Sequence, residues 1–243
     1  MFRSAFPDLQ VEVLHTIVDG DKVVDHIRFA GTHLGDFSGI PGTGKPIDTS
    51  GIVISYLDEQ GRIEERWQKF GAMQLLQQIG VVPGWEEPPP VPPVPTVEGG
   101  RETTVEENKR IMQRQLAIWN DGDYDVADEI FHPLSVSPDA PQLPVGPEGC
   151  KEAARLFRSA FPDFHMTVED VVAENDLVCC RFRQTGTHEG ELFGVEPTGR
   201  TVDFGEMAIC QLAGGQIVAS WFQTDLLTMM NQLGVGDQQA APA

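Results

Sequence analysis

The sequence predicts a duplicated α+β fold, in which a curved antiparallel sheet packs on N-terminal helices. Three observations support this prediction. The segment FRSAFPDL at residues 2–9 recurs as FRSAFPDF at residues 157–164, helical signals occupy residues 104–131 and 147–161, and strand-like runs with short turns follow Pro162. Helices followed by antiparallel strands are typical of an α+β unit whose sheet curls around its helices.

The repeat continues far beyond these eight residues. The matching pairs include GTH at 31–33 and 186–188, TG at 43–44 and 198–199, and Trp67 with Trp221. We therefore expect a partial domain over 1–82, a complete domain over 101–236 and a disordered tail over 237–243. The proline-rich segment 83–100 is expected to be an extended spacer, because proline blocks helices and central strands. A docking site for a proline-recognising module is the alternative.

The complete copy begins with a well-signalled helix. Thr104 and Glu107 form a predicted capping box, and the stop signal follows at 120–122. The other predicted elements are a short helix at about 124–131, a proline-rich loop, a helix at about 147–161, strands near 165–173, 176–187, 200–212 and 216–223, and a final helix at 226–233.

The first copy lacks the segment equivalent to residues 101–155, so its sheet has no helical layer of its own. Each large apolar side chain left in water forfeits roughly 1.5–3 kcal/mol of burial. We expect the second copy, another subunit or an upstream segment to cover that face.

Composition excludes several classes of partner. The formal net charge of −20 argues against nucleic acid and anionic membranes, which require clustered Lys and Arg. No segment is apolar enough to span a membrane, and the N-terminus does not resemble a signal peptide. The four cysteines have no metal-ligand spacing, which favours buried, reduced thiols in a cytoplasmic protein without metal or cofactor. They are Cys150, Cys179, Cys180 and Cys210.

His188 and Glu206 are the candidate catalytic residues. His188, like His33 in the first copy, follows a strand, where it could transfer a proton or could fix the path of the next loop. Glu206 lies within a predicted strand. A carboxylate buried among apolar neighbours there would have a raised pKa and could act as an acid or base, whereas a solvent-exposed one would not.

Several other residues, Phe222 and His33 among them, are candidates to line a pocket. Trp119 lies on the apolar stripe of the first helix, and Trp221 and Trp67 occupy the last strand of each copy, where a core role is the alternative. Asp225 precedes the final helix and is expected to cap it if it does not contact a ligand.

The runs FRSAFPDFHMTVEDVVAENDLV, TGTHEGELFGVEPTGRTV and GGQIVASWFQTDLLTMMNQLG resemble the SnoaL-like polyketide cyclase and ester cyclase family. The resemblance covers residues 101–236 and, in part, 1–83. It implies a cone-shaped α+β barrel of the nuclear-transport-factor-2-like superfamily, commonly dimeric through its sheet. It also implies cofactor-free ring closure of a polyketide ester, with an aspartate as acid/base.

The family's catalytic residues do not all recur. Its aspartate corresponds to Phe222 in the second copy and Gln68 in the first, its histidine to Ala208 and its glutamine to Glu206. Three hypotheses follow: an enzyme using Glu206 or His188 on a small apolar metabolite, a non-catalytic binder of such a metabolite, and a scaffold in which sheets associate as an intramolecular pseudo-dimer or a homodimer.

Overall fold

The computed structural model describes residues 2–84, 86–98 and 100–235. The chain forms two compact units, one from residues 1–87 with 223–225 and the other from residues 88–222 and 226–243. The described linker residues 83–84, 86–98 and 100 contain no helix or strand. The expected disorder of residues 237–243 concerns a segment outside the described residues.

The first unit is a four-stranded antiparallel sheet in the order β1-β2-β3-β4. Its elements are α1 (Phe2–Ala5), β1 (Gln10–Asp19), β2 (Lys22–Thr32), β3 (Pro46–Leu57), β4 (Ile63–Phe70) and α2 (Ala72–Gln78). Phe6, Ile47, Leu75 and Ile79 form a small buried core where α1 and α2 meet the sheet.

Part of the sheet in the first unit is exposed. Val11, Val13 and Val18 on β1 are 51%, 57% and 45% exposed. Val11 and Val13 correspond through the repeat to Met166 and Val168, which belong to or pack against the main core of the second unit. Apolar positions of this sheet are therefore accessible in the described part of the chain.

The second unit contains the helical layer and a five-stranded sheet. Its elements are α3 (Val105–Leu116), a π-helical turn (Ala117–Asp121), α4 (Asp125–Ile130), β5 (Phe131–Val136), α5 (Pro147–Ala160), β6 (His165–Glu174), β7 (Leu177–Thr187), β8 (Thr201–Ala213), β9 (Gln216–Thr224) and α6 (Leu226–Leu233). The α+β class and the curved antiparallel sheet predicted from sequence are confirmed, and the strand order shows that the sheet is open and not closed into a barrel.

The predicted proline-rich loop is wrong in one respect, because it contains strand β5. β5 runs parallel to β9 and lies at the edge of a sheet ordered β5-β9-β8-β7-β6. Pro133 obscures the strand in the sequence, since proline lacks the N–H that a central strand donates. An edge strand tolerates it.

Helix α3 begins as predicted. The Thr104 side chain accepts a hydrogen bond from Glu107 N–H, and the Glu107 carboxylate accepts one from Thr104 N–H. Beyond Leu116 the helix widens into the π-helical turn, and Gly122, with φ of 72°, ends it in the left-handed conformation. Both the capping box and the stop are confirmed.

Strand alternation determines which side chains face the helices. Even-numbered residues of β7 and β8, including Val178, Phe182, Phe204 and Cys210, belong to the main core with residues of α3, α4 and α5. Odd-numbered residues such as Arg183 and Asp203 face the other way. The candidate site lies on the helix-facing side of this sheet.

Candidate functional site

Glu206 and Gln184 form a polar pair on the helix-facing side of the second sheet. Gln184 Nε2 donates a hydrogen bond to Glu206 Oε2 at 3.0 Å. Glu206 is opposite Phe182 in the β7–β8 register, and Gln184 is opposite Phe204, so the pair is diagonal on one face. Gln184 is 2% exposed, whereas Glu206 is partly exposed. Glu206 thus places a partly exposed carboxylate on a side of the sheet that is otherwise largely apolar.

Two thiols, those of Cys150 and Cys210, lie within electrostatic range of Glu206. Cys210 Sγ lies 3.3 Å from Ser220 Oγ, and Gln115 Nε2 lies 3.7 Å from the same sulfur. Burial, with smaller contributions from Cys210 and Glu206, raises the pKa of Cys150 to about 12. Cys150 is therefore a neutral thiol near the carboxylate, and it is not an activated nucleophile.

Phe222 packs against the same core, together with Ala208. Its backbone N–H donates a hydrogen bond to Asp139 Oδ2 at 2.9 Å. Phe222, Ala208 and Glu206, the positions that the resemblance assigns to the family's aspartate, histidine and glutamine, therefore all belong to the helix-facing side. Among these three only Glu206 has an ionisable side chain.

His188 is buried and hydrogen-bonded within its own loop. Its Nδ1 accepts the backbone N–H of Thr198 at 3.2 Å and lies 3.1 Å from Thr198 Oγ1. Because Nδ1 is the acceptor, the ring proton is on Nε2, which has no hydrogen-bond partner among the described residues. Burial lowers the pKa of His188, so the ring is neutral at pH 7.

The first copy reproduces this arrangement. His33 Nδ1 accepts the Thr43 N–H at 3.4 Å, and the His33 ring lies 5.3 Å from Phe6, as the His188 ring lies 5.4 Å from Phe161. Both histidines are therefore held by the same contacts within their own loops. This geometry favours the loop-fixing interpretation of both histidines.

The structure does not bring His188 and Glu206 together. Glu206 is opposite Phe182, and His188 lies six residues beyond Phe182, which is about 20 Å along an extended strand. The two side chains therefore do not reach one small substrate.

The aromatic candidates are distributed over different surfaces. The Trp119 ring lies 6.1 Å from Phe157 and 6.0 Å from Phe164, within the core. Trp221, 8% exposed, alternates with Phe222 and so points to the opposite face of β9. In the first unit Trp67 is 41% exposed and donates its indole N–H to Glu65.

Asp225 lies directly before α6 and is partly buried. This is the location that a capping residue requires, and capping by Asp225 stays a prediction.

A groove of about 470 Å³ lies where β7 ends and β8 begins. It is lined by Asp163, Thr185, Gly186, Thr187, Thr201, Val202, Asp203 and Gln232. The two carboxylates in this groove are already hydrogen-bonded to other residues of the fold. The backbone N–H and hydroxyl of Thr187 lower the pKa of Asp163, and hydrogen bonds from Arg183 lower that of Asp203. Asp8 and Thr32 repeat the Asp163–Thr187 pair in the first unit.

The described residues contain no group of three His, Cys, Asp or Glu side chains able to hold a metal ion. In the same part of the chain, no helix has the length and hydropathy needed to cross a membrane.

Sequence reasoning missed Gln184, Cys150, Gln115 and Ser220. A signal for Gln184 was available, because it occupies an even position of β7 between core residues. A polar side chain on an otherwise buried face needs a partner, and Glu206 is the nearest polar residue on the neighbouring strand.

Comparison with solved structures shows several similar proteins. TsrD from Streptomyces laurentii is 30% identical, with 55% of this chain and 98% of that chain covered and a TM-score of 0.52. IdmH from Streptomyces antibioticus is 31% identical (52% and 98% covered, TM-score 0.46), and a SnoaL-like protein from Jannaschia sp. CCS1 is 27% identical (59% and 100% covered, TM-score 0.49). No curated protein matches the chain.

The family model for SnoaL-like polyketide cyclases matches residues 1–79 and again residues 109–233. The two matches coincide with the two sheets, and together they span most of the sequence. The duplication predicted from the repeat is thereby confirmed, and the chain belongs to the SnoaL-like polyketide cyclase family.

Proposed function

We propose that the second unit binds a small apolar organic molecule on the helix-facing side of its sheet, and that Glu206 performs cofactor-free acid/base chemistry of the ester cyclase type. The observation that carries this proposal is the partly exposed Glu206 carboxylate, bonded to Gln184 on a face otherwise built largely of apolar side chains. A carboxylate placed among apolar side chains can take a proton from a bound carbon acid.

The chemistry requires one group that can take and return a proton. Glu206 would remove a proton from a carbon next to a carbonyl group, and the resulting enolate would attack a second carbonyl carbon within the same molecule. The alkoxide formed there would recover the proton from Glu206. Family membership supports this reaction type, and the neutral Cys150 thiol beside Glu206 leaves the carboxylate as the base.

The first unit has no equivalent of this site. Gly51 and Phe29 stand at the positions of Glu206 and Gln184. The proposal therefore assigns chemistry to the second unit, and it gives His188 and His33 the task of fixing their loops. Four thiols without disulfides fit action in the reducing cytoplasm.

A test does not need the natural substrate. 5-Nitrobenzisoxazole is a neutral aromatic probe: a base removes its ring C–H proton, the N–O bond breaks, and the electron pair leaves on the oxygen as a coloured cyanonitrophenolate. We expect the full chain to catalyse this elimination, and Glu206→Gln to reduce the rate about 100-fold or more, as loss of a general base does.

The matched control is Glu196→Gln, the same substitution at an exposed loop position. His188→Phe, compared at equal concentration of folded protein, is expected to retain the rate. Equal rates for the wild type and Glu206→Gln would contradict the proposal.

Two alternatives remain distinguishable. A non-catalytic binder would take up the neutral dye N-phenyl-1-naphthylamine without accelerating the elimination. A scaffold is favoured by apolar residues on the other face of each sheet, such as Cys179, Met207 and Ile209 in the second unit and Ile52 and Ile54 in the first. An internal pseudo-dimer predicts a monomeric chain by light scattering, and a stable dimer would count against it.

A further inference from the structure

We infer that Gln184 is a positioning residue for Glu206: its amide fixes the carboxylate so that the base faces the ligand. The inference rests on the proposed function only in assuming that a ligand binds on this side of the sheet. The effect of Gln184 on the Glu206 carboxylate is measurable without turnover. Nothing in the family correspondence assigns a role to this position, since the family's glutamine corresponds to Glu206 itself.

Gln184 is well placed to orient a neighbour. It is 2% exposed, and its strand is hydrogen-bonded to β6 on one side and β8 on the other. Its amide therefore has little freedom, and the 3.0 Å bond to Oε2 transfers that restriction to Glu206. A site built on paired strands and buried donors holds its geometry better than one built on loops.

The Gln184 amide is an uncharged hydrogen-bond donor, which is suited to a carboxylate that acts as a base. Both arginines of β7 alternate with Gln184 and lie on the opposite face, where Arg183 binds Asp203 and Arg181 binds Glu169. A guanidinium next to Glu206 would strongly favour the ionised form and weaken the carboxylate as a base. An amide orients the carboxylate and stabilises its charge only modestly.

The first copy offers an internal comparison. Where the second copy has Gln184 and Glu206, the first has Phe29 and Gly51. The amide and the carboxylate are therefore present together in the second copy and absent together in the first. This pattern is expected if the amide serves the carboxylate.

The experiment uses the full chain with Gln184→Leu, which removes the donor at similar volume. With ¹³C-labelled glutamate, the Glu206 carboxyl resonance is assigned by its loss in Glu206→Gln and then titrated. We expect the pKa of Glu206 to rise by about one pH unit in Gln184→Leu, because the ionised form loses a hydrogen bond. In the pH profile of the elimination rate, the apparent pKa of the acid limb should rise by the same amount.

The matched control is Gln211→Leu. Gln211 donates to Asp176 at 2.9 Å at an exposed position of β8, so the same amide–carboxylate bond is removed elsewhere. This variant should leave the Glu206 titration unchanged. Gln184→Met, unbranched and of similar length, provides a second variant should Gln184→Leu fail to fold.

The outcomes separate the two proposals. An unchanged Glu206 titration in folded Gln184→Leu or Gln184→Met overturns the inference, even if the variant is less stable. A raised Glu206 pKa in a protein whose wild type shows no elimination supports the positioning role and counts against the proposed function.

Discussion

Thr198 donates its backbone N–H to Nδ1 of His188 at 3.2 Å, and Thr43 makes the same bond to His33 in the first copy. Two independent copies of one loop thus use a histidine as an internal acceptor. The loop that follows GTH is fixed by this bond, and its TG, at 43–44 in the first copy and 198–199 in the second, is retained with it.

His188→Phe should therefore reduce stability rather than chemistry. Phenylalanine keeps the ring contact with Phe161 but removes the acceptor for Thr198 N–H, at a cost of about 1 kcal/mol. Because burial lowers the pKa of His188, the wild type loses its advantage as the pH falls below 6.5, and the difference between the two proteins should shrink there. Urea unfolding at pH 7.5 and 5.5 measures both effects, and an undiminished difference at the lower pH would contradict the explanation.

His26 should make the first unit sensitive to acid. Its ring is buried on β2, with Nδ1 3.1 Å from that of His15, and burial, followed by the charge on His15, lowers the pKa of His26 to about 4. The folded state favours the neutral ring, so this stabilisation is complete above the unfolded pKa of 6.5 and is lost as the pH falls towards 4. The loss amounts to about 3 kcal/mol at most.

The acid sensitivity of His26 can be measured by chemical unfolding between pH 7.5 and 4.5. His26→Leu should flatten the pH dependence, whereas the exposed His165→Ala should leave it as in the wild type. Equal pH dependence in His26→Leu and wild type would exclude His26 as the source.

Thr104→Ala should destabilise the second unit by about 1 kcal/mol, because it leaves the Glu107 N–H without its side-chain acceptor. Thr104→Ser retains the hydroxyl and should recover most of the loss. Circular dichroism during urea unfolding provides the measurement, and a serine variant as unstable as the alanine variant would argue against capping.

The cysteines should resist alkylation in the folded protein. Burial raises the pKa of Cys150 to about 12 and that of Cys210 to about 11, and it raises those of Cys179 and Cys180 as well. At pH 8 a thiol of pKa 12 reacts on the order of a thousandfold more slowly than a free one. Iodoacetamide labelling followed by mass spectrometry, with the urea-unfolded chain as control, tests this, and rapid labelling of native Cys150 would refute it.

Local signals in the sequence were sufficient for most of the fold. The Thr104–Glu107 capping box, the stop at Gly122 and the helix Leu226–Leu233 lie where predicted, because caps, glycines and apolar periodicity act over a few residues. Strand β5 was missed because its pairing with β9 is non-local and Pro133 masks it. The repeat is detected by aligning the first half of the sequence with the second.

The sequence by itself determined the duplication, the family and the α+β class, since these depend on patterns along the chain. Only the tertiary structure decided which polar residues meet. Strand register set Gln184 diagonally beside Glu206, turned Phe222 towards the helices and Trp221 away, and separated His188 from Glu206 by about 20 Å along the sheet. Such contacts depend on pairing between distant strands. The strand register determines which face of the sheet a side chain occupies and which side chains lie next to it.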